Sequence, residues 1–520
     1  MSRCTARRTR DVATARRSTV ARLAVAWLAL GSVAHAAGPL GPNGVDIRTS
    51  HYSVDLTQTP IQAGARVTGL AGAYVAIAEG IDGDIQTPVA PAVRTLYSVD
   101  HFEMEVGLGL TLPVAVTTTD FFNTGQRRTN LSDSDKKGFL FVTPAINLAW
   151  GNFGVGLTLE LQNYSLLRST ASAASTATRR DEFDAQFLVG HLQLANRFFN
   201  GQLVLGGGLR VLELDVNNPQ APSGETNLFT TVGAGVEAGV LWAPSDAPFR
   251  LGAAFRSAVS TNPDPKSRVL PNNQGDRIIG DTSDPMNAFW LPDRIDQPWD
   301  LNLGMAVQVG PRPFNQVWQD PSDRLDVAQA AIARRRAERS YRRALLLNRL
   351  KKEGGLDEAS EKAIDAELDV DEAMDELHLD RVARELRQRM KFSYAGLPRP
   401  YALLALSVVL TGSLSDAVGI ESFLQRVVAR SGEKLVYSPR LGLETELVPG
   451  WLKLRAGTYG EPTRFTSSSA RLHGTLGFDA KVFPWSAFGL FEEDTQWRIT
   501  TSLDAAARYL GWGVGVGVWH

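Results

Sequence analysis

Phe102-Glu-Met-Glu-Val-Gly-Leu-Gly-Leu-Thr-Leu112 is the stretch from which the fold is read. Its even positions are Phe, Met, Val, Leu, Leu and Leu, and its odd ones are Glu103, Glu105, Gly107, Gly109 and Thr111. A period of two puts these sets on opposite faces of an extended chain. One face suits lipid or a core. The other, with its carboxylates and glycines, suits a wet or plugged interior. Trp299–Val309 repeats the pattern: Trp299, Leu301, Leu303, Met305, Val307 and Val309 share one face, and Asp300, Asn302, Gly304 and Gln308 share the other.

One such strand could equally belong to a soluble sandwich; the spacing between strands decides. Working outward, strands are expected at 101–112, 138–150, 153–163, 184–198, 202–215, 229–242, 248–258, 298–310, 400–411, 437–448, 451–459, 470–483, 495–505 and 508–519. The gaps alternate. Odd strands are followed by long stretches such as 113–137, 164–183, 216–228, 259–297 and 412–436, even strands by turns such as Gly151-Asn152, Phe199–Gly201 and Pro449-Gly450. That alternation fits an all-β protein, a transmembrane antiparallel β-barrel of about fourteen strands with long loops outside and short turns at the periplasm. Aromatic rings collect at both membrane interfaces. Trp150, Trp242, Tyr401 and Trp451 fall at expected inner ends of strands, and Tyr164, Trp299, Tyr437 and Tyr459 at outer ends.

The N-terminus reads as a secretory leader over 1–36, with seven arginines, an apolar run Leu23–Val33 and the small-x-small site Ala34-His35-Ala36. An apolar core this short does not span a bilayer. The single cysteine, Cys4, leaves with it. The leader holds seven arginines and one aspartate, so the remainder carries −8 where the whole chain carries −2. That charge argues against nucleic acid as a partner. No later run approaches the ~20 apolar residues a spanning helix needs; Tyr401–Leu410 is the longest candidate. Export to a Gram-negative outer membrane, with its lipid as the surroundings, is the expected location.

Residues 37–100 have a different texture. Gly64-Ala-Arg-Val-Thr-Gly-Leu-Ala-Gly-Ala-Tyr-Val-Ala-Ile-Ala78 is followed by an acidic, glycine-containing stretch and Thr87-Pro88-Val89. Its small residues let backbone pack closely inside a lumen, where irregular chain is tolerated because protein encloses it. A periplasmic amphipathic arm is the plainer alternative. The run resembles the N-terminal region of FadL-like long-chain fatty-acid transport porins, G-A-R-x-x-G-x-G-G-A-[FY]-x-A-x-A, then acidic residues, then N-P-A-G. Gly64, Ala65, Arg66, Gly69, Gly72, Ala73, Tyr74, Ala76 and Ala78 match; Ala71 replaces a glycine, and Thr87-Pro88-Val89-Ala90 stands for N-P-A-G. Ser438–Tyr459 also looks like that family's late hairpin. The resemblance implies a fourteen-stranded barrel closed by an N-terminal hatch, with Arg66, Gly69, Gly72, Tyr74 and Pro88 among the hatch residues. It also implies passive uptake of hydrophobic small molecules, long-chain fatty acids being the typical cargo, with no cofactor.

Between strands eight (ending the 101–310 block) and nine (opening the 400–520 block) lies a segment, 320–395, that is not barrel. Asp323–Lys391 has helix-forming composition, Asp320-Pro321-Ser322-Asp323 offers a start and Gly354-Gly355 a break. Arg334–Lys352 holds nine basic residues and one acidic; Glu353–Asp380 holds twelve acidic and one basic. Folded at the glycines, the two halves attract in antiparallel register. Parity places this helical insertion on the periplasmic side. It reads either as a docking element for a periplasmic partner through 323–391 or as a solvated decoration. No EF-hand loop is present.

No catalytic or metal motif emerges: Gly412-Ser-Leu-Ser-Asp-Ala lacks the second glycine of a nucleophile elbow, and the histidines are scattered. An enzyme is therefore not expected. Strand parity points Arg440, Lys453, Arg455, Arg471 and Lys481 into the lumen, sharing a wall with Glu444, Glu446 and Asp479. Such cations could bind a fatty acid's carboxylate, or could form a self-neutralised ladder of cross-strand pairs. The alternative to transport is a structural or partner-binding barrel, an accessory to secretion or the envelope, whose plug never opens. Trp519 lies on lumen parity, leaving His520 where such barrels usually carry a terminal aromatic.

Overall fold

A computed structural model describes residues 40–519 apart from 97, 99, 114–119, 126–139, 172–177, 219–226, 273, 280–287, 316, 319, 356, 467, 492 and 494. The expected leader lies outside the described residues.

Fourteen strands form one closed antiparallel barrel. They are β1 (Phe102–Pro113), β2 (Leu140–Trp150), β3 (Phe153–Ala171), β4 (Thr178–Phe198), β5 (Leu203–Asn217), β6 (Asn227–Trp242) and β7 (Phe249–Arg256). After a long excursion come β8 (Asp300–Val309), β9 (Ala402–Thr411), β10 (Val436–Val448), β11 (Leu452–Glu461), β12 (Arg471–Pro484), β13 (Gln496–Ala506) and β14 (Tyr509–Val518). Each pairs with the next along the chain, and β1 closes on β14 from Gly107 opposite Gly517 to Pro113 opposite Gly511. Closing the first strand on the last is what a bilayer demands of strands; among the described residues Phe102–Val106 have no ladder partner across this seam. The alternation has its expected physical result. Leu108, Leu157, Leu209, Val236, Leu303 and Leu476 stand exposed around the outside, while Asn147, Thr158, Gln193, Asn302 and Asp479 are buried within. This is a membrane-spanning barrel with an apolar belt.

Three readings need correction. The alternation of gaps breaks at the end: β13 and β14 are joined on the long-loop side by Ala507-Arg508 alone, and 485–495 is a longer connection on the short-turn side. At that place the mouth is covered by the 120–125 segment, whose Asp120 amide donates to the Arg508 carbonyl at 2.9 Å. Tyr401 and Tyr459 are not interface aromatics. Both point inward and are buried, because their hydroxyls donate to lumen carboxylates: Tyr401 to Glu444 at 2.7 Å and Tyr459 to Asp504 at 2.7 Å. Trp150, Trp242, Trp451 and Tyr437 are exposed as a girdle requires.

The N-terminal segment runs down the barrel interior. Ser53–Asp55 joins a small sheet at the long-loop end, pairing in parallel with Arg294–Gln297 and Ala417–Gly419. The chain then descends through a short helix, α1 (Ala65–Gly69), and two single turns at Ile81–Gly83 and Ala90–Ala92. Wall glycines admit it. A Cβ on Gly206 would fall 2.2 Å from the Pro88 carbonyl oxygen, and one on Gly252 would fall 2.3 Å from that of Val75. The hatch thus rests on bare backbone.

The insertion is two helices, α2 (Pro321–Lys352) and α3 (Glu358–Ala395), joined where Gly354 takes φ 71°. They leave the barrel at its short-turn end. Arg339 and Arg336 meet Asp375, and Arg343 meets Asp365, so the antiparallel charge register expected from the sequence forms. Leu325, Ile332, Leu347, Leu368 and Leu379 lie on the shared face, more covered than their neighbours. At the base, His101 Nδ1 lies 2.8 Å from Asp320, and Arg387 2.8 Å from Asp100.

Candidate functional site: the lumen

Three layers follow one another down the interior. The long-loop half is apolar. Phe183, Phe187, Leu212, Leu214 and Phe229 point in from the strands and meet Tyr52, Phe289 and Phe423 from the hatch and loops. Phe423 sits 5.2 Å from the Phe289 ring and 5.9 Å from that of Phe229. A water-filled porin would present polar groups here.

Beneath this layer is a cavity of about 180 Å³. Leu56, Ile61, Phe187, Val189 and Val409 line its apolar side; Glu160, His191, Arg210, Arg256, Asp300 and Arg440 line its polar side. Most of the charges are mutually paired. His191 lies between Glu160 (2.9 Å) and Glu237 (3.2 Å), and Arg256 reaches Asp300 at 3.3 Å. Two arginines are different. Arg440 donates to the Gly72 carbonyl at 3.3 Å and the Ser438 hydroxyl at 3.5 Å, and Arg210 to the Ser257 carbonyl at 2.9 Å. Among the described residues neither has a carboxylate partner.

The third layer is a charge-alternating chain that ties the hatch to the wall. Arg455 donates to Glu444 at 2.6 Å and, through both terminal nitrogens, to Asp479 at 2.6 Å each. Glu444 also accepts from Arg66 of the hatch at 3.1 and 3.2 Å. Asp479 accepts from Arg498 at 3.0 Å, and Arg498 in turn holds hatch residue Asp82. Arg66 and Arg250 share Glu79, at 3.4 and 3.0 Å. Buried pairs of this kind add little net stability, but they fix geometry, and stripping one partner leaves a costly bare charge.

The expected lumen cations do not converge. Arg440 alone lines the cavity. Arg455 is locked in the charge chain. Arg471 belongs to the outer end, where it pairs with Glu461 and donates to the Asp120 carbonyl at 2.6 Å. Lys453 and Lys481 lie near the short-turn end, over the rings of Trp519 and Trp451. Arg210, Arg256, His191 and Glu160 were missed, although the same parity argument applied to strands three to seven would have found them. In the hatch, Gly69 abuts Gly477 and Gly72 takes φ +70° against Arg440. Tyr74 is fully enclosed, donates to the Glu79 carbonyl at 2.9 Å and lies under the Arg66 guanidinium, while Pro88 packs on Gly206 and Gly239.

These features define a transmembrane β-barrel plugged by its own N-terminal segment. No family model matches the sequence, and no curated protein does. Among solved structures it is similar to the CymD monoaromatic hydrocarbon channel, at 8% identity and a TM-score of 0.45, covering 89% of this chain and 97% of that one. It is also similar to the P. putida toluene transporter TodX, at 10% identity and a TM-score of 0.42, covering 88% and 98%.

Proposed function

We propose that this barrel is an outer-membrane channel for passive uptake of hydrophobic small molecules, with the insertion on the periplasmic side. The observation that carries the reading is the apolar outer half of the lumen standing directly over a cavity with two acid-free arginines. An apolar molecule gains by leaving water for the upper layer. A carboxylate head on it would find Arg440 and Arg210, whose charge-assisted bonds are the strong kind. A long-chain fatty acid is the cargo that uses both features. Mass spectrometry of ligands carried by the native protein tests this. Bound long-chain carboxylates in wild type, depleted in Arg440→Ala, are the expected result. An empty wild-type protein would overturn it.

The charge chain through Arg455 favours a second reading, a partner-binding barrel whose plug is fixed. In that case cargo transfer into vesicles would be absent, and deletion of 323–391 would remove a co-purifying periplasmic protein.

A further inference from the structure

The short-turn mouth of the lumen gathers more positive charge than its carboxylates answer. Arg94 from the foot of the hatch, Arg197 from the end of β4, Arg250 from the start of β7 and Arg312 from the lead-in to α2 line one small cavity. Two carboxylates stand against these four guanidinium groups. Glu103 holds Arg94 at 3.0 Å, and Glu79 holds Arg250 at 3.0 Å while also serving Arg66 at 3.4 Å. Among the described residues Arg197 forms no ion pair. Like charges gathered away from bulk water repel strongly, so a cluster of this kind favours an anion in its midst.

The hydrogen-bond donors point the same way. The indole of Trp318 lies against two of the guanidinium groups, 4.5 Å from Arg94 and 5.7 Å from Arg197. Arg94 Nε, Arg197 Nη1 and Trp318 Nε1 are all buried, and among the described residues none of the three atoms has an acceptor. Buried N–H groups are nearly always paired, and three orphans on residues lining one cavity call for a shared acceptor. Other nitrogens of the cluster are tied down. Arg94 donates to the carbonyls of His101 at 2.8 Å and Gly151 at 2.9 Å, and Arg250 to those of Phe314 at 2.7 Å and Ile77 at 2.9 Å. These two guanidinium groups are thus in place before anything binds, which lowers the cost of binding. Water could accept the three hydrogen bonds but would leave the charge unanswered. About 30 Å³ is open, room for the leading oxygens of an oxyanion and not for a hydrocarbon chain.

We propose that this cluster is a binding site for a small oxyanion, phosphate or carboxylate, reached from the short-turn end. Guanidinium groups take both through charge-assisted, often paired, hydrogen bonds. Because the residues come from the hatch, from two strands and from the root of the helical insertion, a bound anion ties all three together at the mouth. The site is separate from the apolar chamber and from Arg440, and it stands whether or not the barrel passes cargo.

The test uses the full-length protein in phosphate-free detergent solution and isothermal calorimetry, with inorganic phosphate and acetate titrated separately against a chloride background. Saturable heat from one of them is expected, together with a rise in the temperature at which the unboiled barrel unfolds on gels. Preference for phosphate assigns a phosphate-bearing ligand, and preference for acetate a carboxylate. Arg197→Gln removes the uncompensated charge. It should abolish the heat while leaving the barrel at least as stable in anion-free buffer. Trp318→Phe keeps the ring, removes one donor and should weaken binding several-fold, so the site stays testable if the first variant fails to fold. No saturable heat with either anion, or heat unchanged in both variants, would overturn the site. So would heat that survives in Arg197→Gln and disappears in Arg440→Ala, since that binding belongs to the upper cavity.

Discussion

Ala71 and Gly72 both adopt left-handed backbone, at φ 54° and 70°. Glycine takes that conformation freely, and other L-residues pay about 1–2 kcal/mol. The resembled motif has glycine at both positions; here the tight enclosure of Ala71 holds it in place without one. Gly72 has no such room, since a Cβ there would fall 2.5 Å from Arg440 Nη1 and 3.0 Å from Ile61. Gly72→Ala should therefore cost about 1–2 kcal/mol in backbone strain and displace Arg440. A lower unfolding temperature together with weaker carboxylate binding would show both. The two lumen arginines should separate cleanly. Arg455→Ala removes the guanidinium that Glu444 and Asp479 share, leaving Glu444 to Arg66 and Asp479 to Arg498, and should destabilise by about 3 kcal/mol, the lower end for a broken buried pair. Arg440→Ala breaks no ion pair and should cost far less stability while losing ligand. Heat-modified mobility on gels and ligand occupancy, measured on the same samples, distinguish these outcomes. An equal loss of stability in both variants would sink the division of roles.

At the scale of elements, the helical hairpin carries its own pH dependence. Burial raises the Asp375 carboxyl's affinity for protons, but the bond from Arg339 and the charges of Arg339 and Arg336 outweigh that and hold it below the ordinary carboxylate range. A carboxyl with a lowered folded-state pKa contributes stability that is fully present above its unfolded value, about 3.9, and is lost as pH falls through the folded value. The α2–α3 seam should stay closed at neutral pH and loosen below about pH 4. Spin labels at 346 and 361, read by pulsed distance measurement on the intact protein, should report one narrow distance at pH 7 and a broadened one at pH 3. Asp375→Asn should broaden it already at pH 7. The strands show the opposite sensitivity. Their register is fixed by side-chain alternation, and a slip of one residue would turn Leu303 and Met305 into the lumen and Asn302 into lipid.

For the whole molecule, hatch and insertion are separable from the wall. The barrel closes through its own strand ladder, so deletion of 323–391 should leave it folded, with unchanged heat-modifiability. Deletion of 61–92 empties the middle of the lumen and should turn a nearly silent protein into an ion-conducting pore in planar bilayers. A hatchless protein that remains silent would mean that the loops and the apolar outer layer close the barrel by themselves.

The sequence carried the barrel and its strand number, because period-two alternation and gap length are local properties that every strand repeats. It also marked the hatch, whose glycines and alanines are demanded by close backbone approach. It misjudged Tyr401 and Tyr459, since an aromatic at a strand end fits an interface or a lumen equally until a partner such as Glu444 or Asp504 is in view. Which inward charges neutralise one another emerged from the folded chain. Arg440 and Arg455 share a strand-parity rule, but their heights in the lumen differ, and height sets which carboxylate each can reach. The gap beneath Gly107 was equally invisible along the chain, because it arises from the register of the first strand against the last, more than four hundred residues apart.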